Sequence, residues 1–482
     1  MEENNMSKTF QKPNRMNEAF DIAFQQTQAE QAPLELEVSG NIPKWINGAF
    51  YRNGPGLFAT SRQSFNHWFD GLAIIHQFDI RNGKVEYQSK YIESNVKDWV
   101  LNQDTISFPE FATDPCGSIF KKLKSWFEGT NPKVSLTQVN DRFMALGETI
   151  MQLEIDKKTL QTVGVHDYSP SKYTPSVTTA HPHIEHEVLY NVVLKMGMLN
   201  YYDIIAYNVE KKSTTSICKI PIAKPSYMHS MGMSENYFIL SHSPFECNSI
   251  DFILKKKPFI ENFKWNSKKK SIIWVVSKQT GKVVHKLKTS PFFAFHFVNA
   301  FEKGDKLIFD LCSYPDAEVI QSFYLNQLAD TQSELAAAKA VRFTLDLTTK
   351  LLNKTVVVPT ALELPVIDER FLRKEHKHIY GVGIADQGNH QFYDQLVKIN
   401  METGEHTIWK DPDYYPGEPK FIPHNNAQTD DDGIILSILV NIKDKSKGSK
   451  LVFLDAKTFT EIAACYTSHT IIPGFHGCFL NN

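Results

Sequence analysis

Apolar and polar residues alternate along this chain in a unit that recurs seven times: an apolar strand, a turn built on Asp, Asn, Lys, Thr or Gly, and a second β-rich run. The copies are QFDIRNGKVEYQSKY from residue 77, LEIDKKTLQTVGVHD from 153, YNVEKKSTTSICKIP from 207 and WVVSKQTGKVVHKLK from 274. FTLDLTTKLLNKTVV follows from 343, VKINMETGEHTIWKD from 397 and VFLDAKTFTEIAACY from 452. Alternation on both sides of a polar turn is the signature of a two-stranded antiparallel unit. The starts lie 76, 54, 67, 69, 54 and 55 residues apart. That is wider and less regular than a minimal repeat, so loops carry much of the chain.

A hairpin cannot bury its apolar face alone, and a repeat running from residue 77 to residue 466 requires units that share a core. Seven radial blades meet that requirement, with unrelated hairpins in a sandwich as the alternative. The pattern predicts an all-β, seven-bladed β-propeller whose insertions gather as a helical and loop cap over one face. Residues 1–30 read as a polar, disordered N-terminal segment and residues 31–482 as one domain.

Two inserted stretches break the strand pattern. GSIFKKLKSWF (117–127) reads as an amphipathic helix, with Ile119, Phe120, Leu123, Trp126 and Phe127 apolar and three lysines between them. IDFILKKKPFIENFKW (250–265) interleaves aromatic or aliphatic residues with basic ones. Both fit interfacial membrane anchors; packing on the protein's own core is the alternative.

Composition changes this picture little. The 482 residues are 42% hydrophobic and 22% charged with a formal net charge of -2, so no whole-molecule field attracts nucleic acid or an anionic membrane. MEENNMSKTFQKPNRMNEAF lacks the apolar segment of a signal peptide, and nowhere do about 18 apolar residues run uninterrupted, which places the expected location in the cytoplasm. The six cysteines stand singly without C-x-x-C spacing, as buried reduced thiols do.

Seventeen histidines are present, and four share a setting. His181 in TTAHPHIE, His229 in KPSYMHSMGM, His296 in PFFAFHFVNAF and His476 in IIPGFHGCFL are flanked by apolar or small residues at the edge of β-rich runs, unlike His376 and His378 in their charged turn. Spacings of 48, 67 and 180 residues exclude a local finger-type site, but blades converging on one axis can bring distant residues together. Taken singly, each is better explained as a hydrogen-bonded core histidine. Four neutral imidazoles meeting without thiolates suit Zn, Cu, Fe or Ni by ligand type. Metal-bound imidazoles usually donate their other N–H to a carboxylate, and Glu148, Glu363 and Glu418 stand alone in apolar or turn-forming surroundings where they are candidates for that role, with a surface or turn glutamate as the alternative.

YRNGPGLF (51–58), HWFDGLAIIHQF (67–78), TAHPHIE, PSYMHS, AFHFVNAFEKGDKLIFDLC, GEPKFIP with DDDGIILS, and the terminal GFHG follow one another along the chain. In this order they resemble the carotenoid cleavage oxygenase family over essentially the whole length. The resemblance implies a seven-bladed propeller with Fe(2+) on its axis, ligated by His181, His229, His296 and His476, with Glu148, Glu363 and Glu418 orienting three of the four. It implies a hydrophobic polyene and O2 as reactants, cleavage of a conjugated double bond into two carbonyl products such as retinal-type aldehydes, and no nucleic-acid partner. Family members draw substrate from membranes through an apolar tunnel, which favours peripheral membrane contact through 117–127 and 250–265.

Within the family, carotenoid or apocarotenoid cleavage competes with stilbene cleavage and with retinoid ester isomerohydrolysis. TDPCGSIFKKLKSWF is similar to the animal branch's Pro-Asp-Pro-Cys-Lys segment, with Thr113 for its first proline and Gly117 for its lysine, which puts lipidation of Cys116 in doubt. Just before the first orienting glutamate, stilbene cleavers carry a lysine and the isomerohydrolase a threonine. Here Gly147 offers no cation and leaves room near the metal for O2. A propeller that only binds an apolar ligand remains the alternative of a different class; loss of one of these histidines or of several glutamates would have signalled it, and all seven are present. Phe65, Phe108, Phe111, Phe292, Phe293, Phe295 and Phe475 are candidates to line the tunnel, although propeller cores use the same residue type.

Overall fold

All seven hairpins form in the computed structural model, which describes residues 17–115, 129–168, 176–250, 257–385 and 391–482. Ala73–Arg81 pairs with Lys84–Tyr91, Met151–Ile155 with Thr162–Asp167, Asn200–Asn208 with Ser213–Ile222, and Ser271–Ser277 with Val283–Thr289. Lys339–Asp346 pairs with Leu352–Ala361, Gln395–Asn400 with His406–Trp409, and Lys450–Asp455 with Thr460–Tyr466. Each hairpin supplies the third and fourth strands of one antiparallel blade, counted from the axis, and the seven blades make a β-propeller.

Burial separates outer from inner strands. Lys84–Tyr91 buries every other residue, because Val85 and Tyr87 pack on the last blade, its neighbour in the ring, and the other side meets water. Gly48–Pro55 is buried at all eight positions, so it reads as a continuous run without alternation.

The ring closes by exchanging the chain's ends. The C-terminal strand Gly477–Asn481 pairs with Gly48–Pro55, with Arg52 opposite Gly477, and becomes the innermost strand of the first blade. Glu37–Gly40 pairs with Thr460–Tyr466, with Val38 opposite Cys465, and becomes the outermost strand of the last. Closure of this kind leaves no long unpaired edge at the seam.

Insertions between and within blades form the cap, including residues 92–115 and 129–134 ahead of the second blade and, inside the fifth, a stretch between Ser313 and Lys339 with the short helices Val319–Ser322 and Leu325–Leu328. Residues 17–30 are not a free tail. The helix Glu18–Ala23 is capped by the Asn17 side chain accepting from Ala19 N–H, and it buries Phe20, Ile22 and Ala23. Phe24 then meets Phe392 edge-on at 5.2 Å. Four apolar side chains in this short stretch gain more from docking on the propeller than from solvent, which overrides the polar composition around them.

The 117–127 helix expected from sequence lies outside the described residues, as does Cys116. Of the described part of 250–265, Ile260 and Phe263 are buried in the core, whereas Ile250 is exposed. Among the described residues Cys218, Cys247, Cys312 and Cys465 are buried free thiols and Cys478 is a partly buried one. No helix among them is long and apolar enough to cross a membrane.

Candidate metal centre

The four singled-out histidines meet. His181 precedes the strand His183–Glu185, His229 lies three residues before Gly232–Met233, His296 directly precedes Phe297–Lys303, and His476 directly precedes Gly477–Asn481. Each therefore enters at the start of a strand near the axis in a different blade. His181 Nε2 stands 3.0 Å from His229 Nε2, and His296 Nε2 stands 3.2 Å from His476 Nε2. One nitrogen from each ring lies within 4.8 Å of all the others.

The three remaining blades supply the glutamates. Glu148 follows Arg142–Leu146, Glu363 opens Glu363–Val366 and Glu418 lies just before Lys420–Pro423. Their carboxylates meet His229 Nδ1 at 2.7 Å, His296 Nδ1 at 2.6 Å and His476 Nδ1 at 2.6 Å. Each bond holds the proton on Nδ1, which leaves the Nε2 lone pair pointing at the common centre. His181 has no carboxylate on its ring among the described residues. Every blade thus contributes one group, and the sevenfold geometry explains how residues 148 to 476 act at one point.

Two further residues, inside motifs noted from sequence but given no role there, hold the glutamates. Tyr227 O–H donates to Glu148 at 2.7 Å. The Arg52 guanidinium donates to Glu418 Oε2 at 2.5 Å and to the Phe475 carbonyl at 2.6 Å. Arg52 in YRNGPG and Tyr227 in PSYMHS sit beside residues that were singled out, but their pairing depends on blade closure and is not written in spacing. The loop carrying His476 is fixed by close approach: a Cβ on Gly477 would fall 2.2 Å from the Tyr51 carbonyl, and one on Gly54 would fall 2.6 Å from Gly474 Cα. Glycine is required at both places because backbone lies against backbone.

Electrostatics favour neutral rings at His181, His229 and His476. Burial, and then the neighbouring His476, His229 and His296, push His181 well below the ordinary histidine range. Burial lowers His476 to about 4 despite the opposing pull of Glu418. Burial acts to raise Glu418, but His476 and Arg52 outweigh it and hold the carboxyl at about 2. With neutral imidazoles, three carboxylates against one guanidinium leave a formal charge of two negatives in a buried site. A divalent cation at the convergence of the four nitrogens cancels that charge, and four imidazoles are a donor set that such a cation accepts.

The centre opens into a cavity of about 160 Å³ lined largely by aromatic and aliphatic side chains, among them Trp68, Phe69, Phe259 and Phe323. Of the phenylalanines considered from sequence, Phe108, Phe111, Phe295 and Phe475 line it. Phe65, Phe292 and Phe293 are instead buried in the hydrophobic core. Gly147 lines it too, but the space freed by the missing side chain is taken by the neighbouring backbone: a Cβ there would come 3.2 Å from Pro132 Cα. One cation lines the cavity among the described residues. Lys133 pairs with Glu110, whose carboxyl is pushed up by burial against the pull of that lysine.

A family model described as retinal pigment epithelial membrane protein matches residues 23–481. The chain is 30% identical to beta,beta-carotene 15,15'-dioxygenase of Homo sapiens over 96% of this chain and 95% of that protein. It is 29% identical to a mitochondrial carotenoid-cleaving dioxygenase of Macaca fascicularis over 94% and 93%. Among solved structures, a variant of the Synechocystis apocarotenoid oxygenase superposes with a TM-score of 0.85 at 21% identity, over 97% of this chain and 100% of that one. The cobalt-substituted form of the Synechocystis enzyme superposes with a TM-score of 0.84 at 22% identity, over 96% and 98%.

Proposed function

Since the chain belongs to the retinal pigment epithelial membrane protein family of carotenoid cleavage oxygenases, we propose that it is an Fe(II)-dependent dioxygenase cleaving a conjugated C=C bond of a carotenoid or apocarotenoid. The products are two carbonyl fragments, retinal-type aldehydes among them. The observation that carries this reading is the convergence of four imidazole nitrogens, from four blades, beside an apolar cavity that three of the four rings line.

His181, His229, His296 and His476 would hold the iron, and Glu148, Glu363 and Glu418 would orient three of them. Bound iron supplies the redox activation of O2 that no side chain provides. The chain's own residues do the rest. Trp68, Phe69, Phe259, Phe295 and Phe323 grip the polyene and keep water out. Tyr227 and Arg52 fix the carboxylates, which keep Nδ1 protonated and the ligand nitrogens aimed inward. We also infer one catalytic domain over 31–482, with the helix at 18–23 docked on it.

Peripheral membrane contact is part of the same proposal. Its support is the exposed apolar residues Trp99, Leu101, Met198, Leu199 and Ile250. Trp99 packs edge-on against Phe108 of the cavity wall, and Leu199 and Ile250 flank Asn200 and Ser249, which share a hydrogen bond. Apolar side chains exposed to solvent suit contact with a lipid surface, and Trp99 brings that contact next to the cavity wall.

The test is metal analysis of the purified protein, followed by incubation with a carotenoid, an apocarotenal and a stilbene under labelled O2. Iron at one per chain with label in aldehyde products is expected. Products without label would replace cleavage by hydrolysis, and cleavage by iron-free protein would end the reading.

A further inference from the structure

In the apolar wall beside the metal centre lies a buried ion pair that cleavage itself does not use. Lys133 Nζ binds Glu110 Oε2, and the two side chains are 7% and 9% exposed. Glu110 Oε1 accepts from Asn131 Nδ2 at 3.0 Å, and Lys133 Nζ reaches the Asp70 carbonyl at 3.4 Å. An ammonium has three N–H donors. The third has no acceptor among the described residues, and Lys133, Glu110 and Asn131 all line the cavity.

The pair is fixed close to the histidines. Val134 accepts from His476 N–H at 3.0 Å through its carbonyl, and its own N–H donates to the Leu146 carbonyl at 3.0 Å, two residues before Glu148. Lys133 therefore adjoins a residue whose backbone bonds that of His476 on one side and the strand leading to Glu148 on the other. Buried ion pairs add little stability over apolar residues of equal volume, because desolvation offsets their attraction. Stability gives this pair no reason to face an apolar cavity.

We propose that Lys133 and Glu110 recognise an oxygen-bearing end of the substrate, so that the enzyme takes polyenes ending in an alcohol or aldehyde in preference to hydrocarbon ends. This rests on the polyene-cleaving reading above. A carbonyl or hydroxyl oxygen accepts the remaining Lys133 N–H, and a hydroxyl also donates to Glu110. A methyl end would cover both charged groups without replacing their hydrogen bonds. A carboxylate end would bring a second anion against Glu110, so acids are rejected as well.

The test uses iron-loaded protein and four polyenes of one ring and one chain length, ending in aldehyde, alcohol, carboxylate or methyl. Affinity is read from quenching of tryptophan fluorescence and turnover as kcat/KM. Wild type should favour aldehyde and alcohol over methyl and carboxylate by about tenfold or more. The double variant Lys133→Met/Glu110→Leu removes both charges together, so it leaves no orphaned ion, and its aldehyde-to-methyl ratio should fall to about one. Equal binding of all four ends by wild type would overturn the proposal, as would a preference that survives in the folded, iron-bound double variant. If iron-loaded wild type binds and cleaves none of the four, and β-carotene also fails, the cleavage reading falls and takes this one with it.

Discussion

Two clusters in this molecule bring histidine together with carboxylates, and they differ in where their donors point. On the axis, the carboxylates take the Nδ1 side of three rings and leave four Nε2 atoms facing one another. At the seam between the last two blades, His378, Asp430 and Asp431 also lie within ligand distance of one another. There Asp430 already accepts from Lys377 N–H, His378 N–H and His378 Nδ1, while Asp431 accepts from Lys398 Nζ at 2.9 Å and Thr429 O–H at 2.8 Å. The axial cluster has surplus negative charge and open lone pairs. The seam cluster has its acceptors filled, so proximity of metal-capable groups alone does not make a metal site.

The largest expected effect separates the two directly. His229→Ala should remove bound iron and lower cleavage by more than about a thousandfold, since redox chemistry goes with the metal. His378→Ala should leave iron content untouched and cost about 1–3 kcal/mol of stability through the lost buried hydrogen bond. Chelation extends the contrast, because a ligand present at a thousand times its Kd adds about 4 kcal/mol to the folded state. A chelator should therefore lower the melting temperature of wild type and of His378→Ala alike, and leave that of His229→Ala unmoved. Iron loss in His378→Ala would break the distinction.

Next in size is the carboxylate layer. Glu418→Gln keeps the shape but weakens the hold on His476 Nδ1 and strips the buried Arg52 of its counter-charge. Metal affinity or activity should fall about 10- to 100-fold, as titration with iron and steady-state turnover would reveal. Tyr227→Phe removes only the hydroxyl that donates to Glu148, one bond further from the metal. A loss of about 3- to 10-fold is expected, with iron still bound. If Tyr227→Phe proved worse than Glu418→Gln, the hydroxyl would have a part in the reaction beyond holding Glu148.

How far these features could be read in the chain follows from burial. The outer hairpins alternate because one face is wet, and all seven were legible as QFDIRNGKVEYQSKY and its counterparts. Inner strands such as Gly48–Pro55 are buried throughout and carry no period. The exchange of Glu37–Gly40 and Gly477–Asn481 across the seam pairs residues more than 400 positions apart, which no local pattern announces. The four histidines and three glutamates were legible because their apolar settings set them apart and a resemblance ordered them. Arg52, Tyr227 and the Lys133–Glu110 pair were not, since their partners lie 366, 79 and 23 residues away. The helix at 18–23 was hidden for a different reason, as its few apolar residues are diluted by polar ones.

The smallest effect expected is acidic and belongs to the seam. Although burial acts to raise Asp430, hydrogen bonds from the His378 ring and from the His378 and Lys377 N–H groups hold its carboxyl down at about 2, against an ordinary 3.8. A carboxyl that is harder to protonate when folded adds stability above its unfolded value and loses it as pH falls through the folded one. Asp430 should thus contribute fully above about pH 4 and fade between pH 4 and 2. Asp430→Asn should lower stability modestly at neutral pH and flatten the acid limb of a stability-against-pH curve, with iron content at neutral pH unchanged. The same substitution sharpens the comparison, because a seam that serves only to join blades has no route to the axial nitrogens. A fall in iron content at neutral pH in Asp430→Asn would mean that the two histidine clusters are coupled through the blade between them, and the separation argued above would fail.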